Sequence, residues 1–340
     1  MRVVSRIAIL GFGSSGRRFS QIISDSEPES QVLVYSSQDL SDTSVTQTRD
    51  LAAVGSFRPE IALICGPASD RVEMVEALPP KMSAIFIEKP VALGVADGLR
   101  VKEAVLRRGA VSHVGYNLRF SASLAFFRAR VRAGDCGIVL SVRAETGQYL
   151  PDWRPERDYR STVSAQRALG GGVLNELSHE IDYLNWIFGP ISWVSSWTGK
   201  QSQLEIDVED CAHLTLGFGG SGNQPAFVGQ LHLDFFRHNP TRTVTALGEK
   251  GTLRWDGISG LVEWWGQGSD RWVSVFAETV DATSTYKEMW HSFRNSISSE
   301  NVNTDSLDQA SLVLRLIEAA RESDSSNGIR QTITSVGHQK

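Results

Sequence analysis

Three stretches of the 340-residue chain combine residue types at spacings that could do chemistry. The first is Gly11-Phe12-Gly13-Ser14-Ser15-Gly16, set between the apolar run Ile7–Leu10 and a segment, Arg17–Ile23, with Phe19, Ile22 and Ile23 at helical spacing. Strand, tight turn and helix in that order point helix-terminal N–H groups at an anion. Gly11 allows the turn, Gly13 lets the backbone approach a pyrophosphate, and Gly16 lets the helix pack close to the strand. In this context a dinucleotide site is the preferred reading over a plain glycine-rich turn. An acidic residue at the end of the second strand would bind a ribose 2'-hydroxyl, but Ser36 and Ser37 stand there. Hydroxyls do not repel a 2'-phosphate and can donate hydrogen bonds to it, so NADP is predicted in preference to NAD; the alternative gives the ribose to Asp39.

The second stretch is Glu88-Lys89-Pro90, at the C-terminal end of a predicted strand, where ligands collect in doubly wound folds. Proline after Lys89 keeps that residue out of a helix, which helps aim its ammonium at one point. The third is Gly170-Gly-Gly-Val-Leu-Asn175-Glu176-Leu-Ser-His179-Glu-Ile-Asp182, entering a helix that stops at Gly189-Pro190. By i, i+3 and i+4 spacing, Asn175, Glu176, His179 and Asp182 share one helix face opposite Leu177, Ile181 and Leu184. His179 is then placed for proton transfer among possible orienting partners. The glycine triplet implies close approach of a ligand or of another backbone. Between these stretches, Tyr149 to Arg160 gathers arginines and aromatics, including Trp153, Arg154, Tyr159 and Arg160. That composition suits a carboxylate, phosphate or sugar, and equally a solvated loop with internal ion pairs.

These residues need a scaffold. Apolar runs at Gln31–Tyr35, Ile61–Ile64, Ser83–Ile87 and Val111–Val114, with helical patterns at Asp70–Leu78 and Val95–Arg107, predict an α/β doubly wound parallel sheet over residues 1–120. After a helix at Ala122–Ala133 the pattern becomes alternating strands at Val139–Gln148, Cys211–Phe218, Ala226–Phe236 and Arg242–Leu247. They predict a second α/β domain, 121–340, with a large open, mostly antiparallel sheet. In the third of these strands Gln230, His232 and Asp234 should face one way and Leu231 and Leu233 the other, leaving one face wet or lining a site. A helix over Asp305–Ser323, ended by Ser325-Ser-Asn-Gly328, should pack on another element, the first domain being one candidate.

Composition narrows the partner. With 34 Lys and Arg against 39 Asp and Glu the net charge is -5, without long like-charge blocks, so neither nucleic acid nor an anionic membrane is indicated. A small-molecule substrate is expected. Cys65, Cys136 and Cys211 make neither a disulfide framework nor a structural zinc spacing, and there is no HExxH. His113, His213 and His291 form no ligand spacing, so no metal is predicted. The amino-terminal apolar run is too short for a signal peptide, and a cytoplasmic location is expected.

The GxGxxG turn, Glu88-Lys89-Pro90, Gly115-Tyr-Asn117-Leu-Arg119-Phe, and the glycine triplet followed by His179 and Asp182 together closely resemble the Gfo/Idh/MocA oxidoreductase family. The segment Arg242–Asp256 is also similar to a strand and turn late in that family's sheet, so the likeness spans nearly the whole chain. It implies a Rossmann domain and an open-sheet α/β domain used for oligomerisation, here as a homodimer or homotetramer. It also implies NAD(P)-dependent redox chemistry on sugars or cyclitols. Lys89 and His179 match the family's catalytic lysine and histidine, converging on one substrate oxygen from two domains. Cys65-Gly66-Pro67 resembles the cofactor-contacting turn, with Arg71 where histidine is frequent; Glu88 and Asn117 join the cofactor side. Arg119 and Asp182 join the substrate side with Trp153, Arg154, Tyr159 and Arg160. The third catalytic role lies between Asn175 and Glu176. The stretch from Gln148 to Tyr183 is similar to a bacterial subgroup of surface-sugar and sialic-acid-like pathways, which implies an acidic sugar or nucleotide sugar. A cofactor-retaining epimerase or lyase would use the same residues, and a non-catalytic dinucleotide sensor is the alternative outside enzymology.

Overall fold

Short apolar runs bounded by glycine or polar turns become strands buried on both faces, the pattern of a parallel sheet covered by helices. The computed structural model describes residues 5–41, 45–297 and 305–334. The chain divides into two compact units, Met1–Asn117 with Tyr286–Leu314, and Leu118–Thr285 with Arg315–Lys340.

In the first unit the strands are β1 (Arg6–Leu10), β2 (Gln31–Tyr35), β3 (Thr46–Thr48), β4 (Ile61–Ile64), β5 (Ala84–Ile87) and β6 (Val111–Val114). Among the described residues they form one parallel sheet in the order β3-β2-β1-β4-β5-β6. This order reverses between β1 and β4, the switch point at which doubly wound sheets bind ligands beyond their strand ends. The helix Ser14–Ser26 buries Phe19, Ile22 and Ile23 on the sheet, with Phe19 4.7 Å from the Phe86 ring. A helix at Ala282–Ile297, absent from the periodicity reading, brings Tyr286 and Trp290 against Phe19 at 5.8 and 6.3 Å, and Phe293 against Phe86 at 5.7 Å. Burial of such rings is worth about 2–3 kcal/mol each. That packing is why residues 286–314 belong with the first unit, whereas the sequence suggests one cut near residue 120.

The second unit opens with the helix Ala122–Arg132, where Ser121 Oγ accepts the Leu124 N–H. Its strands are β7 (Val139–Gly147), β8 (Ile191–Gly199), β9 (Cys211–Phe218), β10 (Phe227–Asp234), β11 (Thr241–Gly248), β12 (Gly251–Asp256), β13 (Leu261–Gly266), β14 (Val273–Ala277) and β15 (Gln331–Thr332). Among the described residues the sheet runs β14-β13-β12-β11-β7-β10-β9-β8-β15 and is antiparallel except for the parallel pair β7 and β10. Alternation gives it two faces: Val142, Leu214, Leu216, Leu231, Leu233 and Val244 are buried, while Arg143, His213 and Gln230 are exposed. Asp234 departs from this pattern. It lies on the His232 side of the strand yet is fully buried, because it is enclosed in hydrogen bonds.

Candidate active site

Gly11 has φ +96°, and a Cβ there would lie 2.4 Å from Gly66 N, so the turn after β1 presses on the turn after β4. At Gly16 a Cβ would strike Gly11 O, so no side chain fits between helix and turn. Gly13 differs, because a Cβ there would meet no atom within 4 Å. Contacts within the protein do not demand glycine at that position, and a ligand laid against the backbone would. Gly13 is also the N-cap of Ser14–Ser26, whose first turn has no side-chain cap and no acidic residue. Its N–H groups therefore offer an anion site. These features fit a dinucleotide pyrophosphate. Phe12 beside them is buried under the Arg17 guanidinium, 4.8 Å from its ring.

The same glycine turn is tied to Lys89. Ser15 Oγ donates to Glu88 Oε1 at 2.6 Å, while the other Glu88 oxygen accepts the Lys89 N–H at 3.1 Å. Beneath this turn Arg71 is buried, and its Nε donates to Gly66 O at 3.0 Å. Its guanidinium also donates to the carbonyls of Glu88, Lys89 and Pro90. Arg71, placed by sequence on the cofactor side, thus holds together the two turns that border that side. The Lys89–Pro90 peptide is cis, and Lys89 itself is half-buried. Cys65 lies 3.9 Å from Ser15 Oγ, and burial together with the nearby Glu88 charge pushes its thiol well above the usual range, which disfavours the thiolate. Pro67 begins the 3-10 turn Ala68–Asp70, and Asn117 is buried at the end of this unit. Ser36 is buried, with its hydroxyl accepting the Gln38 N–H; Ser37 is exposed. Asp39 is exposed and paired with Arg49 at 3.1 Å.

In the second unit the predicted continuous helix is interrupted. Residues Val173–Glu176 form one turn, Leu177 (φ -96°, ψ 30°) breaks it, and a new helix runs Ser178–Phe188. Asn175 and Glu176 therefore do not continue the face that carries His179 and Asp182. The Asn175 amide donates to Gly170 O and Gly171 O at 3.1 and 3.2 Å, and Glu176 accepts from Ser164 Oγ at 3.1 Å. Both are turned to the glycine triplet and the loop before it. The triplet itself meets protein: a Cβ on Gly171 would lie 2.3 Å from Val163 O, and on Gly172 2.5 Å from a Glu209 carboxylate oxygen. His179 is buried in the first turn of its helix. One turn on, Asp182 is 2% exposed and accepts two bonds from Arg119, at 2.7 and 2.8 Å. Burial raises the Asp182 pKa, against the opposing pull of Arg119.

The aromatic-arginine loop divides. Arg160 is exposed and occupied by Asp158 and Glu205, and Tyr159 Oη accepts the Glu205 N–H, so this part is the internally paired surface. Trp153 packs its ring edge-on to Phe235 at 5.3 Å, and its indole N–H has no acceptor among the described residues. Trp153, Arg154 and Tyr159 border a gap of about 10 Å³, room for one water.

A group that sequence spacing does not connect lies on the open sheet face. Cys211 and His213 of β9 stand opposite Asp234 and His232 of β10, and the only signal in the chain was the alternation of each strand, since register is a tertiary property. Nearby, Arg143, Glu145, Thr215, Gln230, Thr243 and Thr245 line a shallow cavity of about 510 Å³ on the same face.

Comparison with known proteins decides the lineage. A profile described as "Oxidoreductase family, NAD-binding Rossmann fold" matches residues 5–116, and one described as "GFO/IDH/MocA C-terminal domain" matches 125–254. The chain belongs to the GFO/IDH/MocA oxidoreductase family. Within it, the myo-inositol 2-dehydrogenase of Thermotoga maritima is 26% identical over 38% of this chain and 36% of its own length. Inositol 2-dehydrogenase 3 of Saccharopolyspora erythraea is 26% identical over 54% and 53%. The chain thus spans about half or less of the curated relatives it matches. Levoglucosan dehydrogenase in complex with NADH superposes with TM-score 0.83 over 98% of this chain and 100% of its own, at 16% identity, which shows the shared fold. Among the described residues no helix is long and apolar enough to cross a membrane.

Proposed function

We propose that this member of the family is an NAD(P)-dependent dehydrogenase or reductase acting on a carbinol carbon of a sugar, sugar acid, nucleotide sugar or cyclitol. The observation that carries the reading is the Ser15–Glu88 bond, which joins an open, uncapped glycine turn to the turn that bears Lys89. Gly11–Gly16, the Cys65–Pro67 turn and Asn117 would hold the dinucleotide, with Ser36 and Ser37 at its ribose end. When bound, its nicotinamide exchanges a hydride with the substrate carbon. Lys89 stabilises negative charge developing on the substrate oxygen, and His179 takes or returns the hydroxyl proton. The Arg119–Asp182 pair fixes the helix of His179, and Arg119, one-fifth exposed, retains access to a polar substrate. Asn175 and Glu176 shape the glycine turn before that helix and sit off the His179 face; of the two only Glu176 can exchange a proton, because an amide does not titrate.

Cofactor choice follows from the end of β2. Residues 36–38 carry no carboxylate, and the nearest acid, Asp39, is paired with Arg49, so NADP is favoured over NAD. A cofactor-retaining epimerase would use the same residues, and it is favoured only if nucleotide stays bound through purification. Leu140, Trp197 and Val228 are exposed on the second unit, and covering them would make a homodimer or homotetramer, which sedimentation would report as a mass above one chain. Three free thiols suit a reducing compartment such as the cytoplasm. The test is a panel of polyols, aldoses, sugar acids and nucleotide sugars followed by nicotinamide absorbance with NADP+ and NAD+. Turnover that disappears in His179→Ala and Lys89→Ala while cofactor affinity is kept supports the proposal, and turnover unaffected by both substitutions overturns it.

A further inference from the structure

The antiparallel register of β9 and β10 sets Cys211 opposite Asp234 and His213 opposite His232. Residues two apart on a strand share a side, so these four side chains form a block on the open face. The block runs from a buried thiol and a buried carboxylate at one end to the exposed His213 at the other. Each internal distance is short. The two imidazoles approach Nδ1 to Nδ1 at 3.2 Å, Cys211 Sγ is 3.5 Å from His213 Nε2, and His232 Nε2 is 2.9 Å from Asp234 Oδ2.

Asp234 determines what His232 can do. Its carboxylate is held by the Arg237 N–H at 2.8 Å and the Arg237 guanidinium at 3.1 Å, and Gly147 on β7 leaves the room it occupies, since a Cβ there would strike it at 2.3 Å. A fixed carboxylate on Nε2 keeps the proton on that nitrogen and leaves the Nδ1 lone pair of His232 facing His213. Carboxylate, histidine and metal in series is the arrangement that orients and strengthens an imidazole ligand.

We propose that Cys211, His213 and His232 bind a divalent transition-metal ion of the zinc class, with Asp234 as the orienting partner of His232. Thiolate and imidazole are the ligand set such ions prefer. Bonds of about 2.0–2.3 Å at tetrahedral angles put ligand atoms roughly 3.3–3.6 Å apart. The observed Nδ1–Nδ1 separation is already near that value, and one ligand atom from each of the three residues lies within 4.8 Å of the other two. The thiol and the second imidazole meet different nitrogens of His213, so closure asks that ring to turn until one nitrogen faces both. The fourth position lies on the exposed His213 side, open to water or another donor. Bound there, the ion clamps β9 to β10 across the register.

The experiment titrates Co2+, and then Zn2+, into the chelator-treated full chain. Tetrahedral cobalt with a thiolate ligand gives visible ligand-field bands and a near-ultraviolet sulfur-to-metal band. The proposal expects one equivalent per chain, displaced by Zn2+, with thermal unfolding shifted upward. Cys211→Ser should lose the sulfur band, and His213→Ala, an exposed position that leaves the fold intact, should weaken cobalt binding at least tenfold. Folding of each variant is verified by near-ultraviolet circular dichroism. Absence of cobalt bands in the folded wild-type chain, or equal binding by His213→Ala, overturns the proposal and leaves a hydrogen-bonded histidine pair.

Discussion

At Gly13 in the first unit a Cβ would meet no protein atom within 4 Å, whereas at Gly171 and Gly172 in the second it would press on Val163 O at 2.3 Å and on Glu209 at 2.5 Å. Both are glycine runs ahead of a helix, and both can be read as places where a ligand approaches. The surroundings separate them. The first run ends in an uncapped helix start tied by Ser15 to the turn of Lys89, and the second is closed by its own chain, with Asn175 bonded to two of its carbonyls. Glycine therefore leaves open space in one unit and serves packing in the other. The chemistry proposed for the second unit rests on His179, one turn further on.

The largest effects should fall on His179 of the second unit and Lys89 of the first. His179→Ala and Lys89→Ala should each lower single-turnover hydride transfer by about 10²- to 10⁴-fold while leaving dinucleotide affinity within about twofold. A rate near wild type in His179→Ala would move the proton-transfer role to Lys89, Tyr159 or Glu176. Next come the closed glycines. Gly172 has φ +103°, and Gly172→Ala adds that strain to its clash, so it should destabilise the second unit by roughly 3 kcal/mol in urea unfolding. Unchanged stability would mean that the triplet is open to ligand after all.

A similar loss, with a pH signature, should follow removal of Arg119. The pKa of Asp182 is raised by burial, so the folded chain holds this proton at a pH where the unfolded chain has released it. Stability from this group is present below the unfolded pKa and fades as pH rises through the folded one. Arg119→Met removes the charge that opposes the shift, extending the window toward neutrality. The cost should be about 3 kcal/mol at pH 7 and clearly smaller at pH 5. Equal costs at both values, from denaturant titrations, would show that Arg119 does not stabilise the ionised carboxylate. Smaller again, Ser37→Asp on the exposed end of β2 should shift preference from NADP toward NAD by roughly tenfold through repulsion of the 2'-phosphate, read by calorimetry.

Much of the first unit was legible because β1, β2, β4, β5 and β6 are short apolar runs between turn signals. By contrast β3, Thr-Gln-Thr, is polar, and the helix Leu51–Phe57 carries an internal glycine, so neither announced itself. The helix Ala282–Ile297 has Tyr286, Met289, Trp290 and Phe293 at helical spacing, diluted by the lysine, glutamate, histidine and serine between them. For the proposed site, residue type and order point to the glycine turn, Lys89 and His179. The break at Leu177, the Arg71 contacts beneath Lys89 and the alignment of Cys211 and His213 with His232 depend on packing and register, which no local pattern encodes.

Parallel titrations of wild type and Gly13→Val with NADPH and NADH test most directly whether the open glycine turn is a dinucleotide cradle. One equivalent should bind the wild-type chain, NADPH more tightly, and Gly13→Val should weaken both at least tenfold while unfolding at the wild-type temperature. Equal affinity in the two proteins, or no dinucleotide bound by either, would contradict it.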